Sequence, residues 1–368
     1  MKIVLTCALA LITSVLSGCI KPPWHDGIDE YFERSNRILD VEQAVMGWSV
    51  DEALRYPPRQ SLRLPVPESS IGMLDFLRLS ECELQRLVGD RNSALGKVIA
   101  DSQLVGYSLR FIVLAEACLA GEMVPEDLVG PLETLVAQRR SAIPHYVWNG
   151  LFAGPEFERM FSLSAREDPS RENQLPSSIE TALAQLAESS RNPELNWVGG
   201  RDGRDGRDGR DGRDGRDGRV DVEQSLSVLA STKYAGALLL MQSQLAQNLT
   251  DHHAVITRAW QERPVCRRLN NKFWVKAVDR DALMFVFHRY YIEEVQRKSA
   301  NLLRQSDRFV ALINALRASV AVSAEGFDSY WQDNWIGDSS APSRLRDAVA
   351  AQTRFWQGVL EACELSPK

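Results

Sequence analysis

Six cysteines carry the most specific chemistry in this sequence. Cys7 lies in an apolar run from Ile3 to Leu16, and Met1-Lys2 precedes that run. Cys19 follows Leu16-Ser17-Gly18, where the run ends. One positive charge, a short apolar core and small residues at its end make a secretory signal. The run is too short for a stable bilayer span, which takes about 20 apolar residues. Cys82, Cys118, Cys266 and Cys363 remain for the body, an even number with three possible pairings. Pairing sequence neighbours, Cys82 with Cys118 and Cys266 with Cys363, ties helices within each half of the chain. Bridges closing loops of this size contribute about 3–5 kcal/mol each when unstrained. No C-x-x-C spacing suggests a zinc site.

The Leu16-Ser17-Gly18-Cys19 junction resembles the lipobox cut by lipoprotein signal peptidase. The resemblance implies removal of residues 1–18, a tether over 19–25 and attachment to a membrane through lipid on Cys19. At about 0.8 kcal/mol per buried CH₂, two or more acyl chains hold a protein durably. Ile20, not Asp, follows the cysteine, which by the sorting rule of such lipoproteins favours the outer membrane, with the body facing the periplasm. Paired cysteines fit that oxidising compartment. A formal charge of −6 offers nucleic acid no broad attraction, so no nucleic-acid partner is expected.

Two segments gather polar and aromatic side chains suited to binding. One is Gly89 to Lys97, where Arg91, Asn92, Ser93 and Lys97 could line a polar pocket for an anion near a helix N-terminus. The plain alternative is a helix turn with Asn92 or Ser93 as cap. The other is Arg289-Tyr290-Tyr291, with Trp331 and Trp335 further on. Arg with Tyr and Trp suits a binding surface, although an aromatic stripe on a helix also suits a core.

Catalytic and metal motifs are missing. No H-E-x-x-H, G-x-S-x-G, phosphate loop or haem-attachment pattern occurs, and no cofactor is expected. His252-His253 are adjacent, so on a helix they diverge by about 100° and make a poor metal pair; an exposed helix start is expected there. Glu188-Ser189 is similar to the Glu-Ser dipeptide of lytic transglycosylases, but the aromatic motifs that accompany it there are absent. Glu293-Glu294 diverge on a helix and read as a solvated face.

Helices must position these groups. Ile28, Tyr31, Phe32, Ser35, Ile38 and Leu39 share one face of a first helix running from Asp26 to about Leu54. Tyr56-Pro57-Pro58 stops it, and the chain to Pro67 reads as an extended strap lying on the helical body. A helix capped by Ser69 or Ser70 ends at Gly89, and another begins at Asn92 or Ser93 and reaches Cys118. Further helices cover Pro125 to Arg140, two short pieces of 143–161 broken at Gly154-Pro155, and Ile179 to Glu188. Arg-Asp-Gly then repeats six times from Arg201 to Gly218. With every third residue glycine and nothing apolar to bury, that segment predicts a disordered loop. A long helix follows from Val222 to about Leu249, with Gly236 permitting close helix contact. The stretch from Val265 to Glu325, free of glycine and proline, predicts long helices. Phe327 to Asp338 reads as a loop or short helix, and a last helix ends near Cys363. The strand signal is weak throughout. The sum is an all-α, elongated bundle of about nine or ten helices. It divides into an N-terminal half at 26–198, the repeat loop at 199–219 and a C-terminal half at 220–368.

Several of these segments together resemble a known family. Met73-Leu74-Asp75-Phe76-Leu77, Cys82-Glu83-Leu84-Gln85, Arg91-Asn92-Ser93, Leu95-Gly96-Lys97 and Ser102-Gln103 are similar to the signature of domain of unknown function 3080. Tyr56-Pro57-Pro58-Arg59 before them and Phe287-His288-Arg289-Tyr290-Tyr291-Ile292 with Val295-Gln296 after them match in order and spacing. The resemblance implies a lipoprotein with a helical body in the envelope and carries no catalytic residue. The expected role is non-catalytic binding of an envelope protein or cell-wall partner. The alternatives are a module that holds a small ligand between helices, and an enzyme with an unrecognised site.

Overall fold

The computed structural model describes residues 25–41, 47–66, 75, 77–94, 96–197, 221–269, 272–275 and 280–365. Cys19 and its tether, the Ser69–Ser70 helix start and the Arg-Asp-Gly repeat lie outside the described residues. Nearly everything described is helical, and ten α-helices reach eight residues or more. The all-α expectation therefore holds, with one exception. Cys266–Leu269 (β1) and Lys272–Val275 (β2) pair antiparallel in the stretch where long helices were expected. Phe273, Trp274 and Val275 are residue types that favour strands.

Two compact units divide the chain, and they do not follow the expected halves. The first takes residues up to 45, 252–298 and 354–368; the second takes 46–251 and 299–353. The N-terminal helix groups with later segments because its apolar face is covered by residues more than 200 positions away, which local periodicity cannot reveal.

In the first unit, Asp26–Ile38 (α1) buries Ile28, Tyr31, Phe32 and Ser35 on one face. It is shorter than expected. Asp40 adopts a positive φ of 57°, and the Val41 amide bonds back to the Asn36 carbonyl, closing the helix without a glycine. Packed on α1 is Val286–Gln296, eleven residues of π-helix. Its buried residues Val286, Tyr290, Tyr291 and Val295 recur at four and five, the period of the wider turn. The disulfide Cys266–Cys363 joins β1 to the end of the last helix, with Cα atoms 5.2 Å apart.

The second unit has an aromatic core. Trp148, Phe152, Phe157, Phe161, Phe309, Phe327 and Trp331 are all fully buried. Several of these rings meet edge to face or stacked, including Trp148 on Phe152 at 4.3 Å and Phe327 on Trp331 at 5.7 Å. Ile143–Leu151 (α2) and Pro155–Phe161 (α3) are the two short helices expected around Gly154-Pro155. Asp101–Ala120 (α4) packs against α2 and against Glu126–Ser141 (α5). Its length and mean hydropathy of 1.4 would suit a bilayer. It is a core helix instead: Val105, Leu109, Phe111, Ile112 and Ala115 are buried within the unit.

Residues 56–66 form the expected strap, tightened by one helical turn at Arg59–Leu62. Helix α2 holds it: the Trp148 indole donates to the Leu62 carbonyl at 2.8 Å. The Asn149 amide bonds both the N–H and the C=O of Leu64, at 2.8 and 2.9 Å. One side chain thus replaces a neighbouring strand for this stretch of backbone. The disulfide Cys82–Cys118 links the start of Glu83–Asn92 (α6) to the end of α4, with Cα atoms 5.7 Å apart. Gly236, near the start of Tyr234–Glu262 (α7), faces the Ser162 carbonyl so closely that a Cβ there would collide with backbone, which is the close contact expected of it.

Candidate functional site

Arg91, Asn92 and Ser93 stand at the C-terminal end of α6, not at a helix start. The helix runs through Gly89, and the next long one, α4, begins only at Asp101. The Arg91 guanidinium donates to the Gly96 carbonyl. The Ser93 hydroxyl donates to the Asp90 carbonyl at 2.7 Å and accepts from the Gly96 amide at 3.1 Å. Asn92 is exposed, and the Lys97 side chain lies outside the described residues. A carbonyl end carries partial negative charge, so it suits the Arg91 cation and offers none of the free amides of a helix start. The expected anion site at a helix N-terminus is therefore not formed by this turn.

The N-terminus of α4 is already taken by a carboxylate. Asp101 is buried there and paired with Arg59 and, at 3.4 Å, with Arg63. Both arginines come from the strap that Tyr56-Pro57-Pro58 begins, so the strap delivers charge to the helix it crosses. Nearby Glu156 has its pKa raised, first by burial and further by the charge of Glu223.

The π-helix splits its three candidates. Arg289 faces solvent and pairs with Glu293 at 2.7 Å and Glu294 at 3.4 Å. Tyr290 is buried and its hydroxyl donates to Glu30 at 3.0 Å. Tyr291 is fully buried, stacked with Phe287 and Trp356 at 5.9 and 6.1 Å. Trp331 and Trp335 are core residues of the second unit. The aromatic stripes build interiors, not a binding surface. Glu294 is also less solvated than expected: its side chain is 15 % exposed and Lys298 lies 3.3 Å away.

His252 lies within α7 and is fully buried, not at an exposed helix start. Its Nε2 lies 3.0 Å from the Ser35 hydroxyl, and its ring meets Tyr31 and Phe32 at 5.2 and 4.7 Å. The Trp356 indole donates to the Tyr31 hydroxyl at 2.9 Å. A serine beside a histidine suggests nucleophilic chemistry, but the proton arrangement opposes it. The Ser35 hydroxyl lies 2.7 Å from the Tyr31 carbonyl, so its proton belongs there. His252 must then donate from Nε2 to Ser35 and cannot act as its base. Burial, reinforced by His253, pushes the His252 pKa down to about 3, which keeps the ring neutral. The pair is a locked structural junction between α1 and α7. No sequence signal links Ser35 to a histidine 217 residues away.

One group stands apart because its charges are not answered. Arg139 on α5 is 7 % exposed, and no carboxylate among the described residues lies within ion-pair distance. Its neighbours are Tyr107, Ser108 and Phe111 of α4 and the second cation Arg91. Only Arg91 of this group was among the sequence candidates; an arginine at the end of an amphipathic helix otherwise reads as an ordinary C-terminal charge.

No curated protein and no solved structure shows significant similarity to the chain. One family model does match, over residues 28–197 and 215–367. The gap between those segments falls on the Arg-Asp-Gly repeat, so the match skips most of it. The chain belongs to the family described as Protein of unknown function (DUF3080).

Proposed function

We propose that this protein is an envelope lipoprotein, anchored by lipid on Cys19, whose helical body binds an envelope protein or cell-wall partner without chemistry of its own. The observation that carries the proposal is the Leu16-Ser17-Gly18-Cys19 junction at the end of a short apolar run. The disulfides Cys82–Cys118 and Cys266–Cys363 fit an oxidising compartment. Ile20 after the cysteine favours the outer membrane, with the body facing the periplasm. The commitments of Ser35, His252, Asp101 and the tyrosines to internal contacts favour a binding role over a catalytic one.

The test is photocrosslinking in living cells, with the reactive residue placed at exposed apolar positions such as Leu77, Val98, Val113 and Phe285. The proposal expects a recurrent adduct with one envelope component from adjacent positions. Adducts only with a second copy of the chain, or none at all, would count against partner binding.

A further inference from the structure

We infer that the second unit holds a binding site for a phosphate-type oxyanion, centred on Arg139 and completed by Arg91 and Tyr107. The site goes beyond the proposed anchoring and does not depend on it. Arg139 projects from the last turn of α5 into the interface with α4. Its guanidinium carbon lies 4.2 Å from the centre of the Phe111 ring and 5.4 Å from that of Tyr107. Contact with ring faces covers the flat side of the guanidinium and leaves its five in-plane N–H donors to be answered elsewhere. They are poorly answered. The Tyr107 hydroxyl answers one of them, the bond to the Ser108 hydroxyl is 3.5 Å, at the outer limit of a hydrogen bond, and the buried Nε has no partner among the described residues.

Charge makes the case stronger. A buried arginine is ordinarily paired with a carboxylate, because taking its charge out of water is costly. Here the neighbouring charge is a second cation. Arg91 comes from the end of α6, which packs on α4, and gives one N–H to the Gly96 carbonyl; burial first, and then the charge of Arg91, disfavours the charge on Arg139. Tyr107 hydrogen-bonds Arg139 and feels the charge of Arg91, and Tyr146 of α2, which is buried, interacts with Arg139 and Tyr107. Two cations and two phenols gather in one half-buried place, with no acid beside them among the described residues to act as counter-ion. A dianion with several acceptor oxygens supplies what the protein omits: it neutralises both arginines and accepts from their in-plane edges and from the phenols. A phosphate monoester, or inorganic phosphate, meets that description. The headgroup of a phospholipid shares the chemistry.

The test uses the mature full-length protein in calorimetric titration with inorganic phosphate at constant ionic strength, and the variants Arg139→Met and Arg91→Met. Methionine keeps the apolar stem and removes the charge. Wild-type protein is expected to bind phosphate with saturation at one site, Arg139→Met to weaken binding at least tenfold, and Arg91→Met to weaken it severalfold. Without phosphate, Arg139→Met is expected to melt no lower than wild type, since an unanswered buried charge is removed. Absence of saturable phosphate binding by the wild type overturns the inference. Equal binding by both variants overturns it too, as does a fall in melting temperature of Arg139→Met with no phosphate effect in any form. Should Arg139→Met fail to fold, Arg91→Met and Tyr107→Phe decide the question by the same titration. Tighter binding of short-chain phosphatidylglycerol than of glycerol 3-phosphate would assign the site to a lipid headgroup, and the reverse order to a free phosphate.

Discussion

His252 illustrates how a single side chain sets a condition on stability. Its pKa is near 3 in the fold and 6.5 in the exposed chain. Between those values the unfolded state binds a proton that the folded state refuses, so stability is present above pH 6.5 and is lost as pH falls. Lowering the pH from 7 to 5 is expected to cost about 2 kcal/mol through this residue alone. Urea midpoints across that range check it: wild type should lose stability steeply, and His252→Gln should show a shallower dependence. Parallel slopes for the two proteins would contradict the assignment. The residue's importance was hidden in the sequence because adjacent histidines after Asp251 resemble a polar helix start. Only the packing of Tyr31, Phe32 and Ser35 from a distant helix makes it core.

At the scale of elements, the strap depends on Asn149. Its side chain satisfies both backbone groups of Leu64 in a segment that has no strand beside it. Asn149→Ala is expected to cost about 1–3 kcal/mol by leaving those groups unpaired. Hydrogen exchange at the Leu64 amide should rise in step; an unchanged exchange rate there would show that the strap is held by other contacts. Strap, short aromatic helices and the Cys82–Cys118 pairing were legible, since prolines, Gly154-Pro155 and cysteine order are local signals. Helix ends were less so. Asp40, Glu122 and Glu364 each take the positive φ that glycine usually supplies, at 57°, 54° and 54°. Met123 and Leu365 then bond back to the Cys118 and Leu360 carbonyls, as Val41 does to Asn36. A stop made by an acidic residue looks like more helix. The π-helix was foreshadowed by pairs five apart, Val286 with Tyr291 and Tyr290 with Val295, which resemble ordinary helical spacing unless counted.

At the scale of the molecule, the expected division at the repeat gave way to two units that interleave along the sequence. Chain order follows composition, whereas unit membership follows which apolar faces meet, and only the second is physical contact. The sequence candidates for binding fared accordingly: Tyr290 and Tyr291 were absorbed into a core, and Arg91 acquired a neighbour, Arg139, that no motif announced. The proposed compartment, anchor and redox state all hang on Cys19. Mass spectrometry of the mature N-terminus, purified from membranes of the native host, tests that most directly. A chain beginning at Cys19 and carrying diacylglyceryl and N-acyl mass is the predicted result. A mature chain whose first residue is unacylated, or one that retains residues 1–18, would contradict it.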